Sequence, residues 1–477
     1  MAFAIGYYIL SFVVSLISPF WGLVGFTCSL LLRFQDLYPE INMIKPFSLL
    51  LVGMVLSCII NKDKLSKLEW KQDKLILAIL GLSILGLVIM SPGSLVFETY
   101  NFICSIFLYY FVSRILQTPT QFIQLFFCMA LSVTYLAYLA IGDIAQFPDT
   151  SLYIEHGSKR WQGIGYYANS NEYGQLMITT IPFLLGVILL RKSLILSLIS
   201  MALMGVMLFV MVKSGSRTVM ITVGLMFVGT IMLRGKGNIA KKAIVGATMS
   251  ILLLTVLTFM PGPIQERMGT VLDAGNDESF QGRTRSWDHG FDMLSWYPIT
   301  GVGKGQWIEY HGLMPHNSYV QVMAEMGIIG IWVFLWVIWR CLLQFKPIFK
   351  KPAALPNGPP SQEGERENHL FAKEDHLIEV YVNEPITHIN SFEEDFDNEG
   401  SHAAENSFEE TTLTNEGRTV AIAVLVTFCG WLLYIFLGNQ GYSTWTYFYL
   451  GLCTALANFM PIEESEKDEQ NDLFYET

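Results

Sequence analysis

Apolar runs of about 20 residues alternate with short polar breaks along this 477-residue chain, almost from its first residue to Met460. About 20 helical residues cross the roughly 30 Å hydrocarbon core of a bilayer, where only a helix or a closed barrel satisfies every backbone amide. The pattern predicts spans at 2–18, 20–33, 42–60, 74–91, 98–116, 121–141, 172–190, 193–212, 217–233, 242–260, 317–343, 419–437 and 442–460. The first two are interrupted at Pro19 and make either a hairpin or one kinked helix, so twelve or thirteen spans are expected. The fold class is therefore all-α, a polytopic membrane helix bundle with short helices in a long extracytoplasmic loop.

Composition agrees with that pattern: 52% of residues are hydrophobic and 15% charged, where soluble domains run near about a quarter charged. No Lys or Arg precedes Arg33 and no small-residue cleavage site follows the first apolar core, so the start reads as an anchored span. Cys28, Cys58, Cys104, Cys128, Cys341, Cys429 and Cys453 all lie in or beside apolar segments, which argues against a disulfide framework or a cysteine metal site. The net charge of −11 is uneven, because residues 361–416 carry sixteen Asp or Glu against Arg366 and Lys373.

Lysines and arginines fill four short loops, at Lys62 to Lys74, Arg191 and Lys192, Arg234 to Lys242, and Arg340 to Lys351. Alternating spans put all four on one side, which the positive-inside rule makes the cytoplasm. The expected organisation is a bundle over 1–343 with extracytoplasmic catalytic loops at 142–171, 213–217 and 261–316. An acidic insertion at 344–417 follows, then two spans within 418–460 and an acidic cytoplasmic tail at 461–477. The insertion, rich in Pro and then in Glu, Asn and Ser, cannot bury enough surface to fold alone and is expected to be disordered. Its His369, His376, His388 and His402 read as solvated linker residues, with metal binding as the alternative.

Three spans that run from outside to inside each follow a polar cluster. Arg160 to Gly165 and then Asn169 to Glu172 precede one, with capping-box spacing from Asn169 to Glu172. Ser214-Gly215-Ser216-Arg217 precedes the next, with Ser216 suited to an N-cap, and Pro315-His316-Asn317-Ser318 precedes the third, with Ser318 and Gln321 in capping-box register. Each helix then turns its N-terminus, with about half a positive charge, to the outer face. Arg160, Arg217, Arg283 and Arg285 stand beside these ends, and guanidinium forks grip phosphate oxygens in pairs. The implied ligand is a phosphate or diphosphate, although each arginine taken singly reads as an interfacial snorkelling residue.

In the long loop, Arg283, Trp287, Phe291 and Leu294 share one helical face, predicting a short helix along the headgroup boundary. His316 precedes a helix start, where a neutral ring able to accept a proton is favoured, so it is a candidate general base or a hydrogen-bonding helix-terminus residue. His156, His289 and His311 share its side without zinc-ligand spacing, while Asp273, Asp277 and Glu278 leave a metal cage open. Gly301-Val302-Gly303-Lys304-Gly305 has no strand before it and no helix opening after it, so it is expected to be a flexible turn rather than a phosphate loop. Glu325, within a span, is expected to be a hydrogen-bond partner or an arginine counter-ion.

The segment Glu278 to Arg283 through Trp287, then Tyr297 to Gly303, then His316-Asn317-Ser318-Tyr319 and Glu325-Met326-Gly327, resembles the O-antigen ligase and polymerase family; Ser214-Gly215-Ser216-Arg217 resembles its earlier arginine motif. The resemblance spans residues 160–335 in motif order. It implies a membrane-embedded glycosyltransferase of the bacterial inner membrane, with its site facing the periplasm, that moves a glycan from an undecaprenyl diphosphate carrier to an acceptor hydroxyl. Lipid A core, another glycan or a protein would supply that hydroxyl. The resemblance further implies membrane lipids as surroundings, no metal, no other cofactor and no nucleic-acid partner. Carried over by motif, His316 would be the base or orient the acceptor, and Arg217 and Arg283 would hold the diphosphate, with Arg160 and Arg285 beside them. Ser216, Asn317, Ser318 and Glu325 would support them. The acidic insertion is not part of that pattern. A transporter or lipid-glycan flippase is the alternative, disfavoured because polar groups gather at one face and leave the middles of the spans nearly uncharged.

Overall fold

The computed structural model of the chain describes residues 1–67, 70–155, 159–190, 193–234, 278–349, 414–438 and 442–460. The helices run in chain order α1 (Ala2–Ile17), α2 (Pro19–Leu32), α3 (Pro46–Ile60), α4 (Trp70–Met90), α5 (Leu95–Ile115), α6 (Pro119–Gln146), α7 (Ser170–Ile178), α8 (Ile181–Leu190), α9 (Leu194–Ser214), α10 (Arg217–Arg234), α11 (Glu278–Trp296), α12 (Ser318–Leu343), α13 (Asn415–Phe436) and α14 (Thr444–Ala455). Between α6 and α7, β1 (Ile154–Glu155) pairs antiparallel with β2 (Arg160–Trp161). The chain divides into two units, Met1–Phe349 with Leu413–Thr477 and Lys350–Thr412. All the described residues belong to the first.

Eight helical spans among the described residues are long and apolar enough to cross a membrane, and each matches a span expected from the hydrophobic pattern. The fold class is an all-α membrane bundle. Four other expected spans are shorter: α1 has 16 residues, α2 has 14, α3 has 15 and α14 has 12. At about 1.5 Å per residue none of these reaches the roughly 30 Å of a full crossing alone. The thirteenth, 242–260, lies outside the described residues, as do residues 350–413 of the acidic insertion and the tail, while the insertion's two ends at 346–349 and 415–417 are helical. The break at Pro19 makes a hairpin. Ser18 is extended, Pro19 opens α2, Tyr7 donates to the Gly25 carbonyl at 2.7 Å, and a Cβ on Gly22 would stand 2.6 Å from that of Ser15.

The centre of the bundle is set by burial. The window of span Ser170–Leu190 is 83% buried and that of Asn415–Phe436 is 78% buried, against 22% to 44% for the other six. The first of these breaks between α7 and α8 because Pro182 has no N–H and its ring would meet the carbonyl four residues back.

A second break decides the geometry of α12. Gly327 has φ 68° and ψ −170°, so the helix is interrupted two residues after Glu325. The segment after α11 fills the gap: Val302 N–H donates to Ala324 O, Gly303 N–H to Glu325 O, both at 3.0 Å, and Ile328 N–H to Pro298 O at 2.9 Å. A Cβ on Gly301 would lie 2.3 Å from the Glu325 carbonyl carbon, and one on Gly327 would lie 2.3 Å from the Ile299 oxygen. Gly301, Gly303 and Gly305 all have positive φ, a conformation that a side chain disfavours. This corrects the expectation of a flexible turn, because the glycines serve a close backbone docking. Glu325 is 1% exposed and bonds Gly305 N–H at 3.0 Å, Trp307 N–H at 3.2 Å and the Gln321 amide at 3.4 Å. It therefore acts as a hydrogen-bond acceptor that ties loop to helix. The nearby Lys304 pairs instead with Glu98 at 2.7 Å.

Candidate functional site

Three helix starts meet at one pocket of about 330 Å³. Arg160, Asn169 and Asn171 line it from β2 and the start of α7. Gly215, Arg217 and Thr218 come from the start of α10, Gly282, Arg283 and Ser286 from α11, and Leu313, Met314 and His316 from the approach to α12. Residues separated by more than 150 positions are thus brought together by backbone turns, each with a local cause.

Gly215 ends α9 in the left-handed region at φ 60°, which reverses the chain so that α10 opens two residues later on Arg217. Asn169 caps α7 by accepting the Asn171 N–H at 2.8 Å. Asn317 caps α12, its Oδ1 accepting from Tyr319 N–H at 3.0 Å and Val320 N–H at 3.2 Å. The expected cap at Ser318 is corrected, since its hydroxyl donates to Gly438 O at 2.7 Å and links α12 to the end of α13. Ser216 stands just before α10, but its buried hydroxyl makes no cap bond among the described residues.

Arg160 is 6% exposed and largely engaged with the protein. Its Nε donates to Ser214 O at 2.8 Å, one terminal nitrogen to Asn171 Oδ1 at 2.9 Å, and the other lies 3.4 Å from Glu155. It fastens the β-hairpin to the end of α9 and the start of α7. Arg217 and Arg283 are half-buried at the pocket wall. Arg285 is corrected out of the group: it is exposed, donates to Gln281 O at 3.3 Å, and does not line the pocket. Two residues on a helix are separated by roughly 200°, so Arg283 and Arg285 cannot face the same way.

The position of α11 follows from close packing. Gly290 lets it cross α12 and Trp307, since a Cβ there would lie 2.5 Å from Val320 and 2.9 Å from the indole. Its buried face is Ser286, Gly290 and Met293. The expected stripe is offset from this face, with Trp287 and Leu294 half-buried and Phe291 54% exposed. Trp287 Nε1 donates to Pro315 O at 2.7 Å, and Ser286 meets His311 Nε2 at 3.2 Å. These two bonds carry α11 to the turn that holds His316.

His316 has φ 49°, a left-handed conformation that costs a non-glycine residue about 1–3 kcal/mol and concentrates at functional turns. Burial and then the Arg283 guanidinium hold its pKa below the usual histidine value. The ring is therefore neutral at neutral pH, and the structure adds these two causes to the helix-end effect anticipated from sequence. His311 is also lowered, by burial and by His289, with which it stacks at 4.1 Å. His156, Asp273, Asp277 and the side chain of Glu278 lie outside the described residues.

No Asp or Glu is among the described residues that line this pocket, which holds three arginines, a neutral histidine and two helix N-termini with polar caps. Such a surface accommodates an anion and leaves a proton acceptor beside it. Sequence reasoning missed Thr218 and Ser286 and marked Asn171 only as part of a polar cluster. Ser286 was accessible to it, lying one turn beyond Arg283.

Fold and site together define a membrane-embedded helix bundle with a cationic pocket where helix N-termini converge. Residues 202–335 match the family model described as O-antigen ligase. The match contains Ser216, Arg217, Arg283, Arg285, His316, Asn317, Ser318 and Glu325, and begins after Arg160. The match covers 134 of the chain's 477 residues. No curated protein matches the chain.

Proposed function

We propose that the protein transfers a glycan from an undecaprenyl diphosphate carrier to an acceptor hydroxyl in a pocket on the extracytoplasmic face of the inner membrane. The observation that carries this reading is the convergence of Arg217, Arg283 and His316 on one cavity. In the reaction the acceptor oxygen bonds to the anomeric carbon while the bond from that carbon to the diphosphate breaks. The acceptor proton goes to the neutral ring of His316, and the electron pair leaves with the diphosphate, which gains one negative charge. Arg217 and Arg283 stabilise that growing charge, and the α7, α10 and α12 N-termini add to the field. Arg160 is a positioning residue that holds the α7 and α9 ends together. Asn317 and Glu325 position His316 and the loop behind it through the bonds they make.

The test is transfer by the full chain in lipid nanodiscs, supplied with undecaprenyl diphosphate-linked glycan and acceptor, with and without a chelator. His316→Ala should lower turnover by about 10²–10⁴-fold, as loss of a general base does. Arg283→Ala should lower it by about 10²–10³-fold. Wild-type rates from both variants, with intact thermal unfolding, would exclude this assignment.

A further inference from the structure

A second and larger cavity, of about 480 Å³, lies outside the cationic pocket. Its walls come from α2, the start of α3, α5, the 166–167 turn, Lys304 and the start of α14. Of these residues only Lys304 falls in the segment that matches the O-antigen ligase model. The cavity is thus built by parts of the chain that the family match does not cover.

Its chemistry differs from that of the first pocket. The two cations on its wall are already neutralised: Arg33 pairs with Asp36 at 2.7 Å, and Lys304 with Glu98 at 2.7 Å. Each also lies over aromatic rings, Arg33 4.8 Å from that of Tyr166 and Lys304 5.3 Å from that of Phe102. A polyanion would find no uncompensated charge in those pairs. Ser48, Tyr100, Asn101, Ser105, Ser443 and Thr444 line the space with polar groups, Ser48 meeting Tyr100 and Ser105 meeting Thr444 at 3.2 Å, among the rings of Phe47, Phe102, Tyr166, Tyr442 and Trp445. Aromatic faces mixed with hydroxyl and amide groups suit a neutral ligand that is apolar on its ring faces and polar at its edges, which describes a sugar.

The cavity is also linked to the first pocket through α7. Tyr166, Tyr167 and Trp445 are shared with a small cavity of about 30 Å³ that Glu172 and Gln175 line from α7. Gln175 is 4% exposed, yet neither its amide nitrogen nor its amide oxygen has a hydrogen-bond partner among the described residues. Asn171, on the same helix, lines the cationic pocket. An unsatisfied amide at that place is costly unless a bound polar group meets it.

We infer that the aromatic cavity is a second carbohydrate site, which holds neutral sugar residues of the acceptor glycan while the cationic pocket holds the donor diphosphate. The inference rests on the transferase reading for its purpose, whereas its test is a binding measurement that needs no turnover.

The probe is the carrier-free oligosaccharide released by mild acid from the lipid-linked glycans of the producing cell. Binding to the full chain in nanodiscs is followed by calorimetry, in parallel with binding of undecaprenyl phosphate. Tyr100→Ala, at a half-exposed position, and Trp445→Ala should each weaken oligosaccharide binding about tenfold and leave undecaprenyl phosphate binding unchanged. His316→Ala should lose turnover and keep oligosaccharide affinity, which separates this site from the catalytic reading. Unaltered oligosaccharide affinity in both cavity variants, absence of binding by wild type at millimolar sugar, or selective loss of undecaprenyl phosphate binding would each overturn the inference.

Discussion

The two cavities contain the same kinds of basic residue and differ in what surrounds them. In the first, Arg217, Arg283 and His316 share a wall with helix N-termini, and Arg160 beside them lies 3.4 Å from Glu155. In the second, Arg33 and Lys304 each have an acidic partner and an aromatic neighbour. An arginine at a helix end therefore says little about ligand charge until its neighbours are known. The first cavity is arranged to meet an anion and the second to meet a neutral, edge-polar molecule.

The largest expected effect separates the cavities by function. His316→Ala should remove about 10²–10⁴ of the turnover rate without weakening oligosaccharide binding, whereas the Tyr100 and Trp445 variants should act on that binding. If His316→Ala abolished oligosaccharide binding as well, the two cavities would be one site. A smaller but still large effect concerns the loop beneath them. Gly301→Ala forces a side chain into a left-handed position and against the Glu325 backbone, and should destabilise the fold by at least about 1–3 kcal/mol in thermal unfolding. Glu325→Ala should cost a similar amount by leaving the Gly305 and Trp307 N–H groups unpaired, at about 1–3 kcal/mol for each buried orphan. Neutral results in both would mean that the docked loop does not support the site.

Acidity sharpens the contrast further. Burial and Arg283 hold His316 below the usual histidine value, so transfer should persist as pH falls past about 6.5 and be lost only through the lower value of the folded protein. Arg283→Gln removes the second cause, so the acid limb of its residual activity should move to higher pH. Arg283→Lys keeps the charge and should leave that limb in place while lowering the rate. A limb that does not move in the Gln variant would disconnect His316 from Arg283. The smallest effect is expected at Arg285, where Ala should change the rate by less than about twofold because the residue is exposed and off the pocket.

Much of the fold was legible because lipid imposes one rule along the whole chain. An apolar run of sufficient length must satisfy its own amides, so eight spans could be read directly. The short helices were not legible: α14 and α3 carry the same apolar composition but stop after 12 and 15 residues. The site was partly legible as well. Polar clusters before helix starts marked Arg160, Arg217 and His316, whereas the role of each cap depended on a side-chain rotamer. Asn317 rather than Ser318 accepts the first amides of α12, and Ser216 makes no cap bond.

By itself the sequence determined the membrane class, the main spans and the candidate anion-binding arginines, because these depend on local period, charge and spacing, and its motifs carried the resemblance of the central segment to a known family. Tertiary structure alone decided which arginines converge, that Arg283 rather than Arg285 faces the pocket, and that the glycine-rich loop is docked into a broken helix. It alone also assembled the aromatic cavity from segments as distant as Phe26 and Trp445. The physical reason is that contacts between distant segments arise from packing and backbone turns, which leave no periodic trace in the chain.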